Sequence, residues 1–159
     1  MVKRIVASAL MLTAINCYAQ NELVFNGGIG KQNSAVKFMH LSLITTPIKT
    51  LPYFKLAPGA AFLSMSELTV YPTYCFTLEP MIEAKTSLGL YLRVSHGIGY
   101  ISQHNRYLNN KLQLFTRISG GLSTDKINLG VFYRHISSGK NEANNQGINL
   151  IGIEFGVNL

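Results

Sequence analysis

The chain is poor in charge and shows no helical period beyond its N-terminal leader. Charged residues make up only 13% of it, against roughly a quarter in ordinary soluble domains. A chain so short of charge is unlike a conventional water-covered domain, a first pointer to a membrane barrel. The missing helical period disfavours helix-built folds. No linker or low-complexity tract divides the sequence, so a single domain is expected. The longest apolar run, Ile5 to Ile15, falls short of the roughly 20 residues a transmembrane helix needs. No histidine pair has metal-site spacing, and His96 and His104 read as interfacial and loop residues. The glycines at 27, 28 and 30 precede no helix that could complete a phosphate loop. Neither a metal nor a cofactor is therefore expected.

What is present begins with a secretory pattern. Lys3 and Arg4 form a basic start, Ile5 to Ile15 an apolar stretch, and Cys17-Tyr18-Ala19 a small-x-small cleavage site. Bulky Asn16 before Cys17 disfavours a lipoprotein. Residues 1–19 are thus expected to be a cleaved signal peptide and 20–159 one β-barrel domain. The chain has two cysteines. One would leave with the leader, so Cys75 stands alone and no intramolecular disulfide forms. Losing Lys3 and Arg4 lowers the net charge from +7 to about +5. The basic residues are scattered, which fits an anionic membrane or lipid phosphate better than a nucleic acid.

Eight alternating segments follow: Leu23–Gly30, Val36–Thr45, Phe54–Ser64, Leu68–Leu78, Ser87–Ile101, Lys111–Leu122, Lys126–Ser137 and Ile148–Asn158. Pro58 and Pro72 interrupt the third and fourth. The spacing, roughly 17 or 18 residues per strand and turn, suits an eight-stranded antiparallel transmembrane β-barrel of the outer membrane. In the fifth segment Leu88, Leu90, Leu92, Val94, Ile98 and Tyr100 share one face, while Arg93, Ser95, Gly97 and Gly99 share the other. The sixth repeats the pattern. Aliphatics would then meet lipid, and Arg93, Arg117, Arg134 and Glu154 would form an ion-pair network in the lumen. A soluble barrel with its apolar face inward is the alternative architecture.

The final hairpin, Tyr133 to Leu159, carries the chemistry. His135 and Ser137 project from one face of the seventh segment. A turn symmetric about Glu142 sets Asn149 opposite His135, where its amide could orient the ring. A serine hydroxyl needs such a base to act as nucleophile. Ser138 faces the other way; its backbone N–H is a candidate oxyanion donor, as is the Asn145 amide. With both termini periplasmic, this turn faces the cell exterior and the outer leaflet.

The run R-H-I-S-S-G at 134–139, then N-Q-G-I-N at 145–149 and an alternating last strand, resembles the C-terminal signature of the PagL family. These are outer-membrane lipid A 3-O-deacylases, with the pattern H-x-S-N-A-G followed by P-N-x-G-I-E. The resemblance implies Ser137 as nucleophile, His135 as general base, Asn145 in the oxyanion hole and Gly147 as turn glycine. Asn149 stands where the family has a triad glutamate, and Ser138 where an asparagine usually follows the serine. The implied activity is a serine esterase removing a 3-O acyl chain from lipid A, with no cofactor. The implied partner is lipopolysaccharide in the outer leaflet of a Gram-negative outer membrane, and self-association into a homodimer stays open. Lys140 is the nearby cation suited to a lipid phosphate. Asn149 favours a second reading, a non-catalytic barrel that binds lipid or stabilises the envelope.

Overall fold

The structure is a computed structural model describing residues 21–31, 36–48, 50–65, 73–103, 108, 110–138 and 147–159. The expected leader, residues 1–19, lies outside the described residues. Eight strands follow in order: β1 (Glu22–Gly30), β2 (Val36–Ile44), β3 (Phe54–Met65), β4 (Thr73–Lys85), β5 (Leu90–Ile101), β6 (Leu112–Ser123), β7 (Ile127–Ser137) and β8 (Ile148–Asn158). Each pairs antiparallel with the next, and β1 closes on β8 from Glu22↔Asn158 to Gly30↔Leu150. Closure leaves no unpaired edge, a requirement for crossing a bilayer. Strands of 9 to 13 residues match the span of a tilted transmembrane strand.

Alternation decides which side chains meet lipid. On β5, burial switches at every residue from exposed Leu90 to buried Ile101. Phe25, Leu41, Phe76, Leu92, Val131 and Ile153 are all exposed on the outside of the barrel. In water such a belt would aggregate; in a bilayer it is the solvated surface. The soluble alternative, with its apolar face inward, is thereby set aside.

The lumen holds a large apolar cluster towards one end and charge through the rest, with a small apolar group set among the charges. Val24, Ile44, Ala57 and Met81 form the small group, with Glu22 and Glu83 one inward-facing position nearer the barrel end than Val24 and Met81. Phe38, Phe115, Phe132, Ile136 and Leu150 belong to the large cluster. The four expected charged residues face inward, and three further glutamates complete the network. Glu154 lies 2.9 Å from Arg93 and 3.2 Å from Arg117. Arg93 also pairs with Glu22, and with Glu83 at 2.7 Å. Arg134 pairs instead with Glu79 at 2.9 Å, and Ser95 donates to the same carboxylate at 2.8 Å. The Arg134 guanidinium also lies 5.2 Å from the centre of the Phe38 ring.

Seven segments fall close to their expected positions, and the fourth is displaced. Leu68–Leu78 was expected; the strand runs Thr73–Lys85, and residues 66–72 lie outside the described residues. Pro72, read as an interruption, stands just before the strand. Pro80 sits within it. The β4–β5 register passes from Leu78↔Ile98 to Met81↔Ser95 without bridging Glu79 or Pro80. Proline lacks an N–H, so it occupies the gap without breaking a ladder bond. Gly97 lies across that gap, where a Cβ would stand only 2.7 Å from the Glu79 Cα. The fifth strand starts at Leu90 rather than Ser87 because Thr86 to Gly89 form the tight turn, with Gly89 at φ 81°.

Candidate active site

The β7–β8 hairpin brings two of the candidate residues into direct contact on the outer wall. His135 faces Asn149 across the ladder, the register a turn centred on residue 142 requires. Both are half-buried, with exposed Tyr133 and Ile151 one step along the same face. His135 Nδ1 lies 2.8 Å from Asn149 Oδ1. An amide oxygen only accepts, so Nδ1 carries a hydrogen, and in the neutral ring Nε2 then keeps its lone pair. That is the tautomer a general base needs.

Ser137 stands two residues beyond His135 on the same face, paired in register with Leu114 of β6. Ser138 is half-buried immediately after β7, with the parity of buried Ile136. Gly147 has φ 64°. A Cβ there would stand 2.7 Å from the Ile136 carbonyl oxygen and 2.8 Å from His135 Cε1. Only glycine lets the chain cross the imidazole in this way. Asn145, Lys140, Glu142 and His104 lie outside the described residues. Glu154 and Arg134 face the lumen, away from this site.

Three participants were not singled out as parts of the site from sequence. The Tyr133 hydroxyl donates to the same Asn149 Oδ1 at 2.5 Å. Thr116 on β6 stands opposite His135 on one side and His96 on the other. His96 Nδ1 lies 2.8 Å from its hydroxyl. A polar row thus crosses four strands of a wall that is otherwise aliphatic. Period two gives the face of each residue but not which strands set them side by side. Beside the row, Ile118, Gly120, Val131, Tyr133, Ile151 and Ile153 line an open apolar groove of about 710 Å³. Gly120 sits between Leu92 and Val131, and its missing side chain leaves the wall hollow there.

The model of a family described as Lipid A 3-O-deacylase (PagL) matches residues 72–158, which include strands β7 and β8. The chain belongs to the PagL family. No curated protein matches it. Among solved structures it is similar to the outer membrane enzyme PagL, with TM-score 0.71 and 13% identity over 87% of this chain and 99% of that one. The N-terminal barrel domain of Pseudomonas aeruginosa OprF is similar at TM-score 0.60 and 15% identity, over 88% of this chain and 97% of that one. A designed transmembrane barrel is similar at TM-score 0.60 and 11% identity, over 88% and 95% of the two chains. At such identities the structural matches speak for the barrel. The family match speaks for the lineage of the hairpin, in which this PagL-family chain carries an amide at position 149.

Proposed function

We propose that this PagL-family barrel is an outer-membrane serine esterase that removes the 3-O-linked acyl chain of lipid A. The observation that carries the reading is the His135–Asn149 hydrogen bond of 2.8 Å on the lipid-facing wall, two residues from Ser137. Nothing in the lumen network calls for a histidine, a serine and an amide on the outside. Polar groups facing lipid are costly, and grouped ones are most simply explained by function.

In the proposed course, His135 Nε2 takes the Ser137 hydroxyl proton as Oγ attacks the ester carbonyl. The oxyanion is held by the Ser138 backbone N–H and the Asn145 side-chain amide. The tetrahedral intermediate collapses, the sugar oxygen leaves with the proton from His135, and an acyl-Ser137 ester remains. Water, deprotonated by the same histidine, hydrolyses that ester to the free fatty acid. The groove beside Tyr133 suits an aliphatic chain lying along the wall. Residues 1–19 are taken as the export signal, and periplasmic termini would put the hairpin at the lipopolysaccharide leaflet.

The test is mass spectrometry of lipid A from a Gram-negative host expressing the chain, beside a Ser137→Ala control. Loss of one hydroxyacyl mass only with the unmutated protein is the expected result. An unchanged spectrum from a folded barrel in the outer membrane would favour the lipid-binding, non-catalytic reading that Asn149 suggests.

A further inference from the structure

We propose that Tyr133 is a positioning residue for the site, fixing the Asn149 amide and through it the tautomer of His135. An asparagine in this place has a weakness that a carboxylate lacks. Its two ends differ, and turning the amide over would present an N–H to the imidazole. The ring would then have to accept at Nδ1 and carry its hydrogen on Nε2, leaving no base beside Ser137. A glutamate offers oxygen either way and needs no such guard.

Tyr133 supplies the guard. Its hydroxyl and His135 Nδ1 converge on a single atom, Asn149 Oδ1, at 2.5 and 2.8 Å. The shorter contact lies at the short end of the O–H···O range and below that for an amide N–H donor. The atom facing Tyr133 is therefore the amide oxygen, and the tyrosine is the donor. Both lone pairs of that oxygen are then used, one by each ring. A flipped amide would turn the hydroxyl from donor to acceptor, lengthen that short contact and leave the hydroxyl hydrogen without its acceptor. Tyr133 sits two residues before His135 on the same face of β7. One strand thus carries nucleophile, base and amide lock at alternate positions.

The inference deepens the esterase reading and rests on it for its kinetic arm. Its structural arm does not. Nitrogen-15 spectra of histidine-labelled barrel in detergent micelles, above the range where imidazole is charged, report which ring nitrogen bears the hydrogen. A His135→Gln sample assigns the signal. The unmutated barrel should show protonated Nδ1 and bare Nε2, and Tyr133→Phe should populate the other tautomer. With purified lipid A in the same micelles, Tyr133→Phe should lower kcat about tenfold at constant KM. In an Asn149→Glu background the same change should cost no more than about twofold, because a carboxylate has no wrong end.

Phenylalanine keeps the ring, so an interfacial or packing role would leave the tautomer and kcat unmoved. That outcome overturns the inference, as does an equal loss in the two backgrounds. A tautomer that depends on Tyr133 in a barrel that releases no acyl chain would uphold the positioning role and count against the esterase.

Discussion

Polar side chains line both sides of this barrel wall, but they are partnered in different ways. Inside, Arg93, Arg117 and Arg134 each meet a carboxylate, and Arg93 alone pairs with Glu22, Glu83 and Glu154. Those groups hold one another where water is scarce, and their arrangement is explained by the need to neutralise buried charge. Outside, His96, Thr116, Tyr133, His135, Ser137 and Asn149 are neutral or weakly basic and interrupt an aliphatic surface. No such need accounts for them. The comparison teaches that polarity in a transmembrane barrel is informative according to the face it occupies. The larger and more strongly charged cluster is the scaffold, and the smaller one is the candidate for chemistry.

The sharpest way to break the comparison is Ser137→Ala. Acyl release should fall by about 10³-fold or more, with no change in heat-modified gel migration. Loss of the folded band would assign the serine to the scaffold instead. Next comes the inner network. Glu154→Leu leaves Arg93 and Arg117 short of a partner and should cost about 3–5 kcal/mol in urea titrations of the micelle-bound barrel. Deacylation per folded molecule should be unchanged, and a selective loss of turnover would erase the division between faces.

Asn149→Glu sharpens the comparison from the outer side. It should preserve turnover or raise it by up to about tenfold, worth ~1.4 kcal/mol of barrier. A large loss in a folded barrel would count against the triad account. The smallest effect is expected from His96→Leu. It removes one hydrogen bond, to Thr116, and should shift stability by no more than about 1 kcal/mol. A severe defect in the same urea titration would make the outer row part of the scaffold.

Most of this was open to sequence reading because a barrel wall obeys period two. Parity alone placed His135, Ser137 and Asn149 outside and Arg93, Arg117, Arg134 and Glu154 inside. Turn symmetry about Glu142 set His135 against Asn149, as the register has it. The fourth strand was harder because its prolines pull in opposite directions. Pro72 stands before the strand and Pro80 is absorbed where the ladder with β5 opens. Ending that strand at Leu78 left Glu79 out of the lumen, so the partner of Arg134 went unseen. Tyr133 was placed on the correct face, but parity says nothing of how far a hydroxyl reaches. Thr116 owes its place to the registers of two strand pairs, which alternation within one strand does not encode.

The filled lumen bears on what the cell risks by making this protein. Arg93, Arg117 and Arg134 sit 2%, 1% and 0% exposed across the middle of the barrel, tied to glutamates on other strands. An eight-stranded barrel is just wide enough to be filled by its own side chains, and here charge completes the seal. Reconstituted into a planar bilayer, it should pass no steady ionic current. A membrane can therefore carry many copies of this barrel and remain an electrical and osmotic barrier.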